Sequence, residues 1–245
     1  MNLYAIDFGH TNYKIAIIEN KNIISVITNH YSDKPILDEL DSLMKNSLCE
    51  KILCSSVLDE SILNSILDRF PEDLRNIFKF FKSEDCEQHF SLSYKHNKNR
   101  MGADRAINLV AASKKTTNDL IVIDSGTATT IDYLDSGKNH VGGIILPGKK
   151  LIDNIFFEIL DFDFFEEEYN EDIFSTNTRS CIENGSIISA YQSINIVLDK
   201  MIKPKNNNPD IYVTGGNAAL VIDNCNYPLI HVESLLFEGL VVLEG

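Results

Sequence analysis

Leu120-Ile121-Val122-Ile123-Asp124-Ser125-Gly126-Thr127-Ala128-Thr129-Thr130-Ile131-Asp132 decides the fold, because it restates the opening of the chain. There, Leu3-Tyr4-Ala5-Ile6 leads into Asp7-Phe8-Gly9-His10-Thr11. In both places a short apolar run suited to a buried strand ends in Asp-x-Gly, with a threonine just beyond. Two further strands follow each time. After Asp7 they span 13–18 and 22–28 around the polar turn at 19–22; after Asp124 they span 128–134 and 140–145 around the turn at 135–138. One Asp-Gly turn after a strand is common loop chemistry. The same strand, turn and hairpin occurring twice predicts a duplicated half.

The rest of the chain fills in each half. Helical spacing of Ile36, Leu37, Leu40, Leu43 and Met44 predicts a helix over 35–48, and Ile62, Leu63, Ile66 and Leu67 another over 59–70. A strand is expected at 51–55 and a helix at 103–115. Beyond Asp124, a helix follows Pro147-Gly148, a long helix covers 179–202, and 204–209 is a polar, Asn-rich turn. A strand at 211–213 ends at Thr214-Gly215-Gly216, and the tail 234–243 is helical, its run 235–243 apolar enough for an interface but read first as a buried core helix. The order βββαβα, written twice, is the pattern of the ribonuclease H-like superfamily of actin, hexokinase and Hsp70. The expected fold is α/β, two-lobed, with mixed five-stranded sheets and lobes at 1–116 and 117–245.

Composition limits the partners. The 245 residues are 44% hydrophobic and 24% charged, ordinary values for a globular chain, and two lobes could each bury a core. A formal net charge of −14 disfavours nucleic acid and anionic membrane surfaces, which need clustered Lys and Arg. Anionic substrates then require a locally positive site built from a few basic side chains, backbone N–H groups and bound cations. The cysteines, Cys49, Cys54, Cys86, Cys181 and Cys225, are odd in number and form no CxxC pair, so reduced thiols are expected rather than a disulfide framework or a zinc site. The opening MNLYAIDFGH lacks a basic segment followed by a long apolar run, and charges interrupt every apolar run short of membrane length. The expected location is the cytoplasm.

Several turns can carry chemistry. In Asp7-Phe8-Gly9-His10-Thr11-Asn12-Tyr13-Lys14, glycine allows backbone N–H groups to approach a phosphate, Thr11 adds a hydroxyl and Lys14 a positive charge. Asp7, at a strand end, is placed to hold a hydrated Mg²⁺. The second turn adds Thr127, Thr129 and Thr130 around Gly126. Gly142-Gly143 with Pro147-Gly148, and Thr214-Gly215-Gly216-Asn217, are strand-to-helix turns that let a nucleotide approach the backbone. At the head of a helix, Gly102-Ala103-Asp104-Arg105 sets an acid beside a base. Asp104 can take a proton from a substrate hydroxyl and Arg105 can hold a carboxylate at two points. The ordinary alternative is an acid favoured by the helix dipole with a solvated arginine.

Taken in order, these segments resemble type III pantothenate kinase, the family also described as Bvg accessory factor-like. The motifs that carry the resemblance are Asp7-x-Gly9-x-Thr11, Gly102-Ala103-Asp104-Arg105, Asp124-x-Gly126-Thr127-Ala128-Thr129-Thr130-x-Asp132, Gly142-Gly143 with Pro147-Gly148, Asn177-Thr178 and Thr214-Gly215-Gly216. The resemblance implies ATP-dependent phosphorylation of pantothenate, the first step of coenzyme A synthesis. It implies ATP binding by Asp7, Phe8, Gly9, His10, Thr11, Asn12, Tyr13, Lys14 and Thr127, with Asp104 as catalytic base. It further implies pantothenate binding by Gly102, Ala103, Asp104, Arg105, Tyr94 and Thr178, and a monovalent cation, potassium or ammonium, on Asp124 beside Mg²⁺ with the ATP. A homodimer whose partner supplies Thr178 is also implied. The chain departs from the family pattern in three places. His10 stands where the family has Asn, Asn97-Lys98 stands where it has Asn-Pro, and Tyr94 is one residue from the family's tyrosine. From the residues alone, another kinase or phosphatase of this fold, or a nucleotide-binding regulatory protein, stays open.

Overall fold

The repeated pattern folds into two five-stranded sheets of one topology in a computed structural model that describes residues 2–44, 49–94, 101–160 and 168–245. The first sheet contains β1 (Asn2–Phe8), β2 (Asn12–Glu19), β3 (Asn22–His30), β4 (Cys49–Ser56) and β5 (Phe78–Phe80), in the order β3-β2-β1-β4-β5. The second contains β6 (Leu120–Ser125), β7 (Ala128–Leu134), β8 (His140–Pro147), β9 (Asp210–Thr214) and β10 (Ile230–His231), in the matching order β8-β7-β6-β9-β10. Both sheets are mixed. The central strands β1 and β6 pair antiparallel with the next strand in sequence and parallel with the fourth of their set.

Register makes the duplication concrete. Asp7 lies opposite Lys14 on one side and Ser55 on the other, while Asp124 lies opposite Thr130 and Thr214. Both aspartates thus occupy the same place, at the carboxyl end of a central strand, where α/β sheets present their ligand-binding turns. The turn between β2 and β3 has Asn20 and Lys21 at φ 51° and 66°, as a two-residue hairpin with right-handed strand twist requires.

By contact the chain forms two units. The first gathers 1–117, 137–141 and 234–245, and the second gathers 118–136 and 142–233. The expected lobes met at 116/117; the contacts change hands at 117/118, and they place 234–245 with the first unit. The core of the first unit packs Tyr4, Ile6, Phe8, Tyr13, Ile15 and Ile52 of the sheet against Ile36 and Leu40 of α1 (Ile36–Met44). Residues 45–48, the expected end of that helix, lie outside the described residues. Helices α2 (Glu60–Leu67) and α3 (Glu72–Arg75) precede β5. Helix α4 (Ala103–Ser113) is buried along nearly its whole length, because α9 (Leu235–Glu244) packs on it. Gly239 permits that approach: a Cβ there would fall 2.3 Å from the Ile107 carbonyl oxygen.

The second unit packs Ile121, Ile123, Ile131, Tyr133, Ile211 and Val213 against Tyr191, Ile194 and Leu198. Its helices are α5 (Lys149–Leu160), α6 (Thr178–Ile187), α7 (Ser193–Ile202) and α8 (Ala218–Asn224). The single long helix expected over 179–202 is α6 and α7 joined by a π turn at Ile188–Gln192. Such an insertion leaves the apolar periodicity readable as one helix. Among the described residues, no helix is long and apolar enough to cross a membrane.

Candidate active site

In the first unit, the turn from β1 to β2 is tight. A Cβ at Gly9 would lie 2.8 Å from the Asn12 carbonyl oxygen, so glycine is needed for the turn to close. His10 and Asn12 are exposed, and Asp7, Gly9, Thr11 and Lys14 are partly so. Phe8 and Tyr13 are fully buried in the core, so only their backbone can meet a ligand. The pairing of Asp7 with Lys14 sets carboxylate and ammonium on one face of the sheet.

Tyr31 completes this turn and was not singled out by the sequence reading. Its hydroxyl donates to the Gly9 carbonyl at 3.1 Å, and its ring lies 5.5 Å from that of Tyr13. Burial, and after it the Asp7 carboxylate, push the Tyr31 phenol well up, so it remains an O–H donor. Nothing local marks Tyr31, since its partner is 22 residues away in sequence.

Also in the first unit, Gly102 caps the N-terminus of α4 with Ala103, Asp104 and Arg105 in the first turn. The Asp104 carboxylate folds back over Gly102: a Cβ there would sit 2.4 Å from Asp104 Oδ1. That proximity explains the glycine and fixes the carboxylate at the positive end of the helix. Arg105 is only 6% exposed, and its guanidinium donates to the Tyr94 hydroxyl at 3.1 Å. Tyr94 therefore joins the GADR turn despite its one-residue offset. Asn97-Lys98 lies outside the described residues.

In the second unit, the Asp124-Ser125-Gly126-Thr127 turn is stitched to both glycine turns. Asn217 donates through its side chain to the Gly126 carbonyl at 3.0 Å and through its backbone N–H to the Ser125 carbonyl at 2.9 Å. The Gly148 N–H donates to the Thr127 carbonyl at 3.1 Å. A Cβ at Gly148 would stand 2.5 Å from that same oxygen, so Pro147-Gly148 can close on the turn only as glycine. Buried hydroxyls of Ser125 and Thr129 share a 3.0 Å hydrogen bond, which accounts for one of the threonines as internal scaffolding. Thr127 is exposed and Asp124 half-buried.

Gly215 has φ 92°, and a Cβ there would fall 2.4 Å from the Ser125 carbonyl oxygen and 2.5 Å from Asp124 Oδ1. A carbonyl and a carboxylate oxygen thus converge on one point beside the glycine. Hard oxygen donors of this kind suit an alkali or ammonium ion. Elsewhere in the second unit, Thr178 is exposed at the first position of α6, whose cap is the Asn177 side chain accepting from the Ser180 N–H at 2.8 Å. Thr178 lines a groove of about 500 Å³ with Phe156, Ser175, Thr176, Asn177, Cys181 and Ile182.

The family model described as type III pantothenate kinase matches residues 3–200. A type III pantothenate kinase from Desulforapulum autotrophicum is 26% identical over 98% of this chain and 95% of its own length. Another, from Syntrophotalea carbinolica, is 35% identical over 60% of this chain and 58% of its own. Among solved structures, the activator of 2-hydroxyisocaproyl-CoA dehydratase from Clostridium difficile, with bound ADPNP, has the same fold. It superposes with a TM-score of 0.53 at 12% identity, over 98% of this chain and 92% of that one. With two five-stranded sheets of one topology, the GADR turn and the DSGTATT turn all in place, the chain belongs to the type III pantothenate kinase family.

Proposed function

We propose that Asp104 is the general base and Arg105 the carboxylate anchor in the reaction of this family, the ATP-dependent phosphorylation of pantothenate that opens coenzyme A synthesis. Asp104 takes the proton of the primary hydroxyl, the hydroxyl oxygen attacks the γ-phosphorus, and the bond to the departing ADP breaks. The observation that carries this reading is the first turn of α4. There an acid is held at the helix end by its fit over Gly102, next to an arginine whose guanidinium is already directed by Tyr94. Arg105 and Tyr94 bind pantothenate along with Gly102 and Ala103, and Thr178 is a further pantothenate contact.

ATP is bound through residues 7–14 and Thr127. The dehydratase activator, which has this fold, holds ADPNP. Lys14 and Arg105 supply local positive charge in a chain whose formal net charge is −14. Asp124 and the Ser125 carbonyl hold the monovalent cation, and Asp7 orients the hydrated Mg²⁺ that accompanies ATP. The fit rests on the convergence of oxygens beside Gly215 and on the partly exposed Asp7 at its strand end. When bound, these ions offset charge on the phosphates. Five free thiols support a reducing, cytoplasmic location.

A homodimer completes the proposal. Ile144 and Ile145 on β8 and Leu151, Ile155, Phe156 and Ile159 on α5 are exposed apolar side chains of the second unit, and Phe156 lines the groove that holds Thr178. A second copy covering these side chains would bring its own Thr178 region to the interface. Sedimentation at micromolar protein is expected to give a dimer; a monomer at that concentration would remove this part of the reading. The activity itself is checked by coupled measurement of ADP release. Release is expected to require both pantothenate and potassium or ammonium. ADP release indifferent to pantothenate would overturn the assignment of the acceptor.

A further inference from the structure

We infer that His140 is a positioning residue for Arg105, acting through Tyr94. The inference rests on the reading of Arg105 as carboxylate anchor. His140 opens β8 yet belongs by contact to the first unit, and it is only 2% exposed. Its ring lies nearly parallel to that of Tyr94, with centroids 6.0 Å apart and planes 12° apart, an offset stack. Its Nδ1 is 3.1 Å from the Ser93 hydroxyl, and its backbone N–H donates to the Ser91 carbonyl at 2.8 Å. The Ser91 N–H in turn donates to the Lys138 carbonyl at 2.8 Å.

The stretch 92–94 has no regular structure of its own. What aims the Tyr94 hydroxyl at Arg105 is therefore its attachment to residues 138–140: backbone bonds at Ser91, a hydroxyl contact at Ser93 and a ring contact at Tyr94. The same turn is anchored at the far end of α4, where the Lys138 ammonium donates to the Ser113 carbonyl at 3.0 Å. Residues 138–140 thus hold both ends of the helix that carries Asp104 and Arg105. An arginine side chain fixed in advance loses less freedom when it takes a carboxylate, so the gain falls on substrate affinity rather than on the chemical step.

The test uses the full chain and reads KM for pantothenate separately from kcat. His140→Ala is expected to raise KM about tenfold, the cost of re-ordering a long side chain, with kcat little changed. His140→Phe, which keeps a ring against Tyr94, is expected to return KM to within about twofold of the native value. Tyr94→Phe is expected to raise KM at least as much as His140→Ala, and the double variant to be no worse than Tyr94→Phe alone, since His140 acts through Tyr94. Additive effects, a fall in kcat at constant KM, or a His140→Phe as impaired as His140→Ala would each overturn the inference. A readout that needs no pantothenate is the ¹⁵N resonance of the Arg105 side chain, expected to shift in His140→Ala and to hold in His140→Phe. An unchanged resonance in His140→Ala overturns the inference. If the native protein fails to turn over pantothenate, the proposed function fails, and the Arg105 resonance still decides the role of His140.

Discussion

Asp104→Asn lowers turnover by at least about 100-fold, the usual range for loss of a general base. The substitution keeps the shape that fits over Gly102 and removes only the ability to accept a proton. Because Arg105 and Tyr94 are untouched, KM for pantothenate should stay near its native value, so the loss is confined to the chemical step. Steady-state kinetics at saturating ATP measures both constants. Turnover within about tenfold of native would remove Asp104 from the role of base.

Gly215→Ala should be nearly as damaging, for a different reason. At φ 92° any side chain is strained, by about 1–3 kcal/mol. The added methyl would also lie 2.4 Å from the Ser125 carbonyl oxygen, 2.5 Å from Asp124 Oδ1 and 2.7 Å from the Ser125 N–H nitrogen. Two of these three atoms are backbone and cannot swing aside, so the turn between β6 and β7 has to move. A displacement of about 1 Å at a positioned group costs on the order of 100-fold in rate. The expected result is a loss of that size with a higher potassium concentration for half-maximal activity. Gly185→Ala, on α6 with nothing within 4 Å of the new methyl, serves as the comparison and should keep native activity. Native activity and native potassium response in Gly215→Ala would show that the oxygens beside Gly215 do not form the cation site.

The strands that carry the site were readable because each has a strong apolar run and an Asp-x-Gly stop. β5 and β10 were not, since three and two residues are too few to show a period of two. The glycine turns were visible as residues, but not what each glycine admits. That Gly148 makes room for the Thr127 carbonyl and Gly215 for Asp124 depends on strands far apart in the chain. Tyr31 and His140 show the same limit. Each acts on a residue at long sequence separation, Gly9 in one case and Tyr94 in the other, and no local pattern distinguishes them from their neighbours. The apolar tail was legible as a buried helix, but its partner α4 was not, because helical spacing reports that a face is covered and not by what.

The return of α9 to α4 also bears on synthesis. Domains commonly fold in the order they leave the ribosome. Here the first unit draws on 234–245, which are made after all of the second unit, and on 137–141, which are made inside it. The face of α4 that meets Gly239 stays uncovered while the intervening residues are translated. The side of α4 that faces Gly239, on the helix with Asp104 and Arg105 in its first turn, is covered only once 234–245 have been made.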